Sequence, residues 1–148
     1  SLYFIVCMFI ISNPENMTTI LKFEELEIWK PASSLSFQVI QFTLTDALLK
    51  EFRYKEQIKA AAGSVMDNIA EGFDRSSRLE FINFLGIAKG SCGEVKSQLY
   101  RALDQKYITE DDFSKLYQQY DGLSTGIATF IIYLNKSEIK GQKFKNRQ

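Results

Sequence analysis

Three glutamates, Glu71, Glu80 and Glu94, fall in one stretch of the chain beside Asn68, Arg75, Ser77, Ser91 and Gln98. Gathered carboxylates can exchange protons with a substrate or hold a divalent cation. Helical bundles do build metal sites from glutamates, typically completed by Glu-x-x-His pairs. This sequence of 148 residues contains no histidine. That excludes Ser-His-Asp and Cys-His nucleophiles and zinc sites with imidazole ligands. Cys7 and Cys92 are too few for a tetrahedral thiolate site within one chain or for a disulfide framework. They point to a reducing, cytoplasmic setting.

A structural account uses every member of the cluster. Ser77 and Glu80 cap a helix start, and Gly72 stops the helix before it. Arg75 pairs with Glu71 or Glu94 to hold the turn between them. Asn68, Ser91 and Gln98 satisfy buried polar groups and fix register. On this account the protein is not an enzyme: it has no catalytic residue, no cofactor, no metal and no small-molecule substrate.

The elements that must position these residues are helical. From Phe23 onward apolar residues recur every three or four positions. In the first stretch Leu26, Trp29, Ser33, Phe37, Ile40, Leu44 and Leu48 form the expected inward stripe, with Trp29 buried. Pro31 falls in its opening turn, where a missing N–H costs least. A second stretch begins near Arg53 and aligns Ile58, Ala62, Val65 and Ile69. Gly72 suits a left-handed position just past its end, with Phe73 folding back. Ser77-Arg-Leu-Glu80 reads as a capping box. The third stretch aligns Phe81, Leu85, Ala88, Cys92, Val95, Leu99 and Ala102 and ends near residues 105–108. Thr109, followed by Glu110, Asp111 and Asp112, caps the fourth. There Phe113, Leu116, Tyr120, Leu123, Ile127, Phe130 and Leu134 repeat. No strand-like alternation competes. Four amphipathic helices with short connections predict an all-α, up-down-up-down four-helix bundle over residues 22–135.

Both flanks differ from that bundle. Residues 2–11 form an apolar run, well short of the ~20 residues a membrane helix needs. The run lacks the basic start and small-residue cleavage site of a secretory signal. Met17 opens a segment that looks like a natural start, so within an apolar leader of residues 1–21, residues 1–16 are expected to be foreign to the native protein; the alternative is a truncated membrane or export signal, and no membrane partner is expected. Residues 136–148 carry Lys136, Lys140, Lys143, Lys145 and Arg147 against Glu138, a net charge of +4, in a chain whose 18 basic and 18 acidic residues cancel overall. The remaining 135 residues therefore carry −4. A mobile, basic tail is expected there.

One row exceeds what a lone bundle requires. Gly86, Gly90, Gly93 and Ser97 lie ~150° around the third helix from its apolar stripe, at about 100° per residue. Interior glycines cost up to ~1 kcal/mol each relative to alanine. A row of them marks close approach by another backbone, either a neighbouring helix of the same bundle or a second subunit.

The segment from Ser64 to Leu99 resembles a known family. Asn68-Ile-Ala-Glu-Gly72, then Arg75-x-Ser77-x-x-Glu80-Phe81, then Gly90-Ser91-x-x-Glu94 resemble the four-helix-bundle proteins of intervening sequences in bacterial 23S ribosomal RNA genes, also labelled S23 ribosomal proteins. Phe23-Glu-Glu-Leu26 with Trp29, and Tyr107-Ile-Thr-Glu-Asp-Asp-Phe113, extend the likeness over about residues 22–135. The family is similar to the accessory protein of diversity-generating retroelements, a pentameric barrel that binds nucleic acid through a basic surface. The resemblance implies a homopentamer, with RNA as a candidate partner, and no known catalysis. Phosphate contacts would fall on Arg53, Lys55 and Lys59, on Arg75 and Arg78, or on the tail. Where the family usually carries a basic pair, this chain has Lys59-Ala60. Two functions follow: a ring-forming helical protein associated with RNA or a ribonucleoprotein, or a protein–protein scaffold that binds no nucleic acid.

Overall fold

The computed structural model describes residues 20–136. Four helices account for most of them: α1 (Trp29–Thr43), α2 (Phe52–Asp74), α3 (Arg78–Asp104) and α4 (Glu110–Lys136). Short 3-10 turns at Phe23–Glu25 and Asp46–Leu48 flank α1, and no strand occurs among the described residues. The expected leader and tail lie almost wholly outside those residues. No described helix is long and apolar enough to cross a membrane.

Successive helices run antiparallel. Tyr54, Ser64 and Gly72 along α2 meet Gln98, Ser91 and Phe84 in reverse order along α3. Arg78 and Phe81 at the start of α3 meet Leu134 and Phe130 near the end of α4, while Lys96 meets Asp121. α3 packs along α2 and α4. α1 packs along α2 and touches α4 lightly, through Gln38 and Gln119, so α1 and α3 occupy opposite corners.

The core stripes of three helices are those expected. Ile58, Ala62, Val65 and Ile69 of α2 are fully enclosed, as is the whole expected stripe of α3 from Phe81 to Ala102. On α4 Leu116, Tyr120, Leu123, Ile127, Phe130 and Leu134 are buried, and Phe113 packs at the edge. Removing this much apolar surface from water is the main stabilising contribution to the fold.

α1 departs from expectation. Ala32, Leu35, Ser36, Val39, Phe42 and Thr43 face the core. Phe37, Ile40 and Leu44 face solvent. Both sets obey helical spacing, so periodicity does not choose between them. Packing does: Ala32 and Ser36 let α1 lie close to its neighbour, where Trp29 and Phe37 would hold it off. The helix also ends at Thr43, before Leu48. Thr43 and Thr45 hydroxyls donate to the carbonyls of Ile40 and Phe42 at 2.6 and 2.9 Å, competing with the ladder there. Leu26 and Leu48 are buried, but outside the helix proper. Trp29 is half-buried, its ring set edge-on to Phe23 with centroids 5.2 Å apart.

Gly72 does not end α2. The helix continues to Asp74, and the left-handed residue is Ser76, at φ 60°. Gly72 instead lets two helices converge: a Cβ there would stand 2.5 Å from the Phe84 Cβ and 3.1 Å from Phe81 Cδ2. Phe73 folds inward as expected and meets Phe81 edge to face.

Candidate functional site

The α2–α3 turn is built around Arg75. Its guanidinium lies 3.0 Å from Glu71 Oε1, one turn back, and 3.7 Å from Glu80 Oε1 across the turn. The same group lies over the Phe84 ring, 5.2 Å from its centroid. Ser77 caps α3 by accepting from the Glu80 N–H at 3.4 Å, which is half of the expected box. The carboxylate of Glu80 is directed to Arg75. Glu94 does not join them: it accepts from Gln98 Nε2 at 3.3 Å, farther along α3. The turn therefore assembles two of the three glutamates, and both face one cation. Among the described residues no group of three His, Cys, Asp or Glu side chains is placed to hold a metal ion.

A polar seam joins the middles of α2 and α3. Asn68 Nδ2 donates to the Ser64 carbonyl at 2.7 Å and to Ser64 Oγ at 2.9 Å. The Ser64 and Ser91 hydroxyls share a hydrogen bond of 2.8 Å. Farther along, the Tyr54 hydroxyl donates to the Gln98 carbonyl at 2.7 Å. Buried polar groups paired in this way fix helix register. Tyr54 escapes a sequence reading because nothing in its spacing separates it from core positions, and Ser64, which opens the signature segment, does not reveal its partner Ser91 on the next helix. Burial pushes the Cys92 thiol up to about 12, from an ordinary 9.0, and raises the Tyr54 and Tyr120 hydroxyls.

The residues expected to meet phosphate are mostly engaged within the fold. Arg78 Nη1 donates to the Leu134 carbonyl at 2.7 Å, satisfying an end group of α4. Lys59 pairs with Glu56 at 2.7 Å, and that contact lowers the Glu56 carboxyl. Lys55 donates to the Leu49 carbonyl at 3.3 Å and lies over the Phe52 ring. Arg53 alone of the five has no partner among the described residues. It lines a cleft of about 320 Å³ with Glu51, Tyr54, Arg101, Asp104, Gln105 and Tyr107. Acids and bases are balanced there, so the cleft presents no net field to a polyanion.

The small-residue row lies on the outside of α3. A Cβ at Gly86, Gly90 or Gly93 would meet nothing within 4 Å, and Ser97 is exposed. Among the described residues no helix crosses there. Of the two expected accounts, the tight crossing inside the bundle is excluded. On the opposite corner Phe37 and Leu44 are 64% and 70% exposed, and Ile40 is 41% exposed. The signal that marks this face in the sequence is the lack of any charged residue across positions 31–45.

Comparison with known proteins follows the same lines. The profile of the family described as 23S rRNA-intervening sequence protein matches residues 24–129. The chain belongs to that family. Among solved structures, a protein of unknown function from the S23 ribosomal protein family of Bacteroides thetaiotaomicron superposes with a TM-score of 0.65 at 22% identity. The superposition covers 70% of this chain and 97% of that one, and it shows a shared fold. No functionally curated protein matches the chain. In this member of the intervening-sequence family, Gly72 and the Arg75–Glu80 turn join α2 to α3 at one end, and the Ser64–Ser91 and Tyr54–Gln98 hydrogen bonds join them farther along.

Proposed function

We propose that this intervening-sequence family member is a non-enzymatic helical bundle that acts as a homo-oligomer, a ring of five subunits on the family resemblance, serving as a scaffold. The observation that carries this reading is α1. It is apolar on two faces, and the bundle covers only one. A helix with a second, exposed apolar stripe is stabilised in water when that stripe too is covered. The signature residues support the reading from the other direction: Arg75, Glu71, Glu80, Ser77 and Gly72 all serve the joint between α2 and α3.

A second reading, in which the assembly holds RNA, rests on the +4 surplus of residues 136–148 and on Arg53, which has no partner among the described residues. Light scattering on the full chain, with and without total cellular RNA, separates the two. A mass several times that of one chain, unchanged by RNA, is the expected result. An RNA-containing peak that dissolves with salt, at a slope near −0.7 per phosphate on single strands, moves the conclusion to the second reading. A monomer at every concentration refutes both.

A further inference from the structure

We propose that the cleft where the α1–α2 connection meets the end of α3 binds a small zwitterion, an α-amino acid with an apolar side chain. The inference uses neither the outer stripe of α1 nor self-association, so it stands or falls apart from the function proposed above.

Four charged side chains line this cleft: Arg53, Arg101, Glu51 and Asp104. Opposite charges so placed ordinarily pair, as Lys59 does with Glu56 and Lys115 with Asp111 elsewhere on the surface. Among the described residues none of the four forms an ion pair. Two of them are engaged by other groups. Arg101 donates to Gln57 Oε1 at 3.2 Å and lies over the Tyr54 ring, 5.4 Å from its centroid. Glu51 lies beside Tyr107: desolvation, and then the charge of that carboxylate, raise the Tyr107 hydroxyl above its ordinary 10.0. The Tyr54 and Tyr107 rings are themselves neighbours, with centroids 5.6 Å apart. A cation is thus held on one ring and an anion beside the next. The side chains of Arg53 and Asp104 have no partner among the described residues, which leaves both to meet a ligand.

The floor is fixed before anything binds. Tyr54 is buried, and its hydroxyl is committed to the Gln98 carbonyl at 2.7 Å. A site whose groups are already held in place loses less freedom when it is filled.

Size and charge then select the occupant. The cleft of about 320 Å³ stands at the small end of ligand sites, with the volume of roughly ten waters. Two acids and two bases favour neither a polyanion nor a polycation. A wholly apolar molecule would strip water from all four charges and return nothing. A molecule with one carboxylate, one ammonium and an apolar body answers each group present. Its carboxylate meets the arginines, its ammonium meets Glu51 and Asp104, and its side chain lies against the tyrosine rings.

Equilibrium dialysis of the full chain against radiolabelled L-phenylalanine and L-leucine tests the site. Saturable binding of one molecule per chain, in the millimolar range, is the expected result. Hydrocinnamate and phenethylamine each keep one of the two charges of phenylalanine, and each should compete at least about fivefold less well. Arg53→Gln should weaken phenylalanine about fivefold and leave phenethylamine unchanged, whereas Asp104→Asn should weaken phenylalanine and leave hydrocinnamate unchanged. Both positions are exposed, so circular dichroism should match that of the parent protein. Lack of saturable binding by both amino acids overturns the proposal. Competition by either singly charged analogue as strong as that of phenylalanine overturns it too, as does indifference of phenylalanine binding to both substitutions.

Discussion

At the scale of single residues, glycine has two opposite meanings in this chain. Gly72 sits where a methyl group would run into the backbone-proximal carbon of Phe84 at 2.5 Å. Gly72→Ala should therefore destabilise the bundle by about 1–3 kcal/mol through overpacking. Gly90→Ala enters open space and should stabilise the single chain by about 0.5–1 kcal/mol. Urea unfolding below the association range checks both, and equal effects at the two sites would contradict the contrast. Cys92 offers a second test. Its folded pKa is raised above the unfolded value of 9.0, so native protein keeps the proton that unfolded protein releases. The contribution is complete below pH 9 and is lost as pH climbs from there through about 12. In a Cys7→Ser background, raising pH from 9 to 10 should remove about 1 kcal/mol more stability than it does in the Cys92→Ala derivative. Unfolding midpoints at the two pH values measure it.

At the scale of elements, the joint after α3 shows local rules at work. The Tyr107 N–H donates to the Ala102 carbonyl at 2.8 Å and the Lys106 N–H to that of Leu103 at 3.1 Å, closing a Schellman motif. The left-handed position, φ 59°, is held by Lys106. Glycine adopts that conformation without penalty, so Lys106→Gly should stabilise by about 0.5–1 kcal/mol in thermal unfolding. How much of such detail a reader can recover from the sequence depends on the number of competing solutions. α2, α3 and α4 each carry one apolar stripe, and each stripe is the core. α1 carries two, offset around its axis, and only its neighbours decide between Leu35-Val39-Phe42 and Phe37-Ile40-Leu44. Ser77 and Thr109 are legible as caps because capping is local. The role of Gly72 is not, because its reason lies in Phe84 on another helix. The same holds for Arg78: nothing near it in sequence indicates Leu134. Of the candidate site, the turn motifs were visible as a unit, while the placement of Glu94 beside Gln98 required the fold.

At the scale of the whole molecule, self-association predicts that stability depends on protein concentration, since assembly draws on native chains alone. Calorimetric melting temperatures of the full chain should rise with concentration, and those of the Phe37→Ser/Leu44→Ser variant should not. A concentration-independent wild type would contradict the proposal. The hydrogen bond from Arg78 to Leu134 has a further bearing. It ties the start of α3 to the last turn of α4, so α4 ends near the α2–α3 turn. The opposite end carries the α1–α2 and α3–α4 connections, where Asp104 lines the cleft with Arg53 and Arg101 and Asp111 pairs with Lys115. Cyclic symmetry brings equivalent ends of every subunit to the same side. In a closed ring with its bundles standing along the axis, the C-terminal ends of α4 would share one rim and the α1–α2 and α3–α4 connections the other.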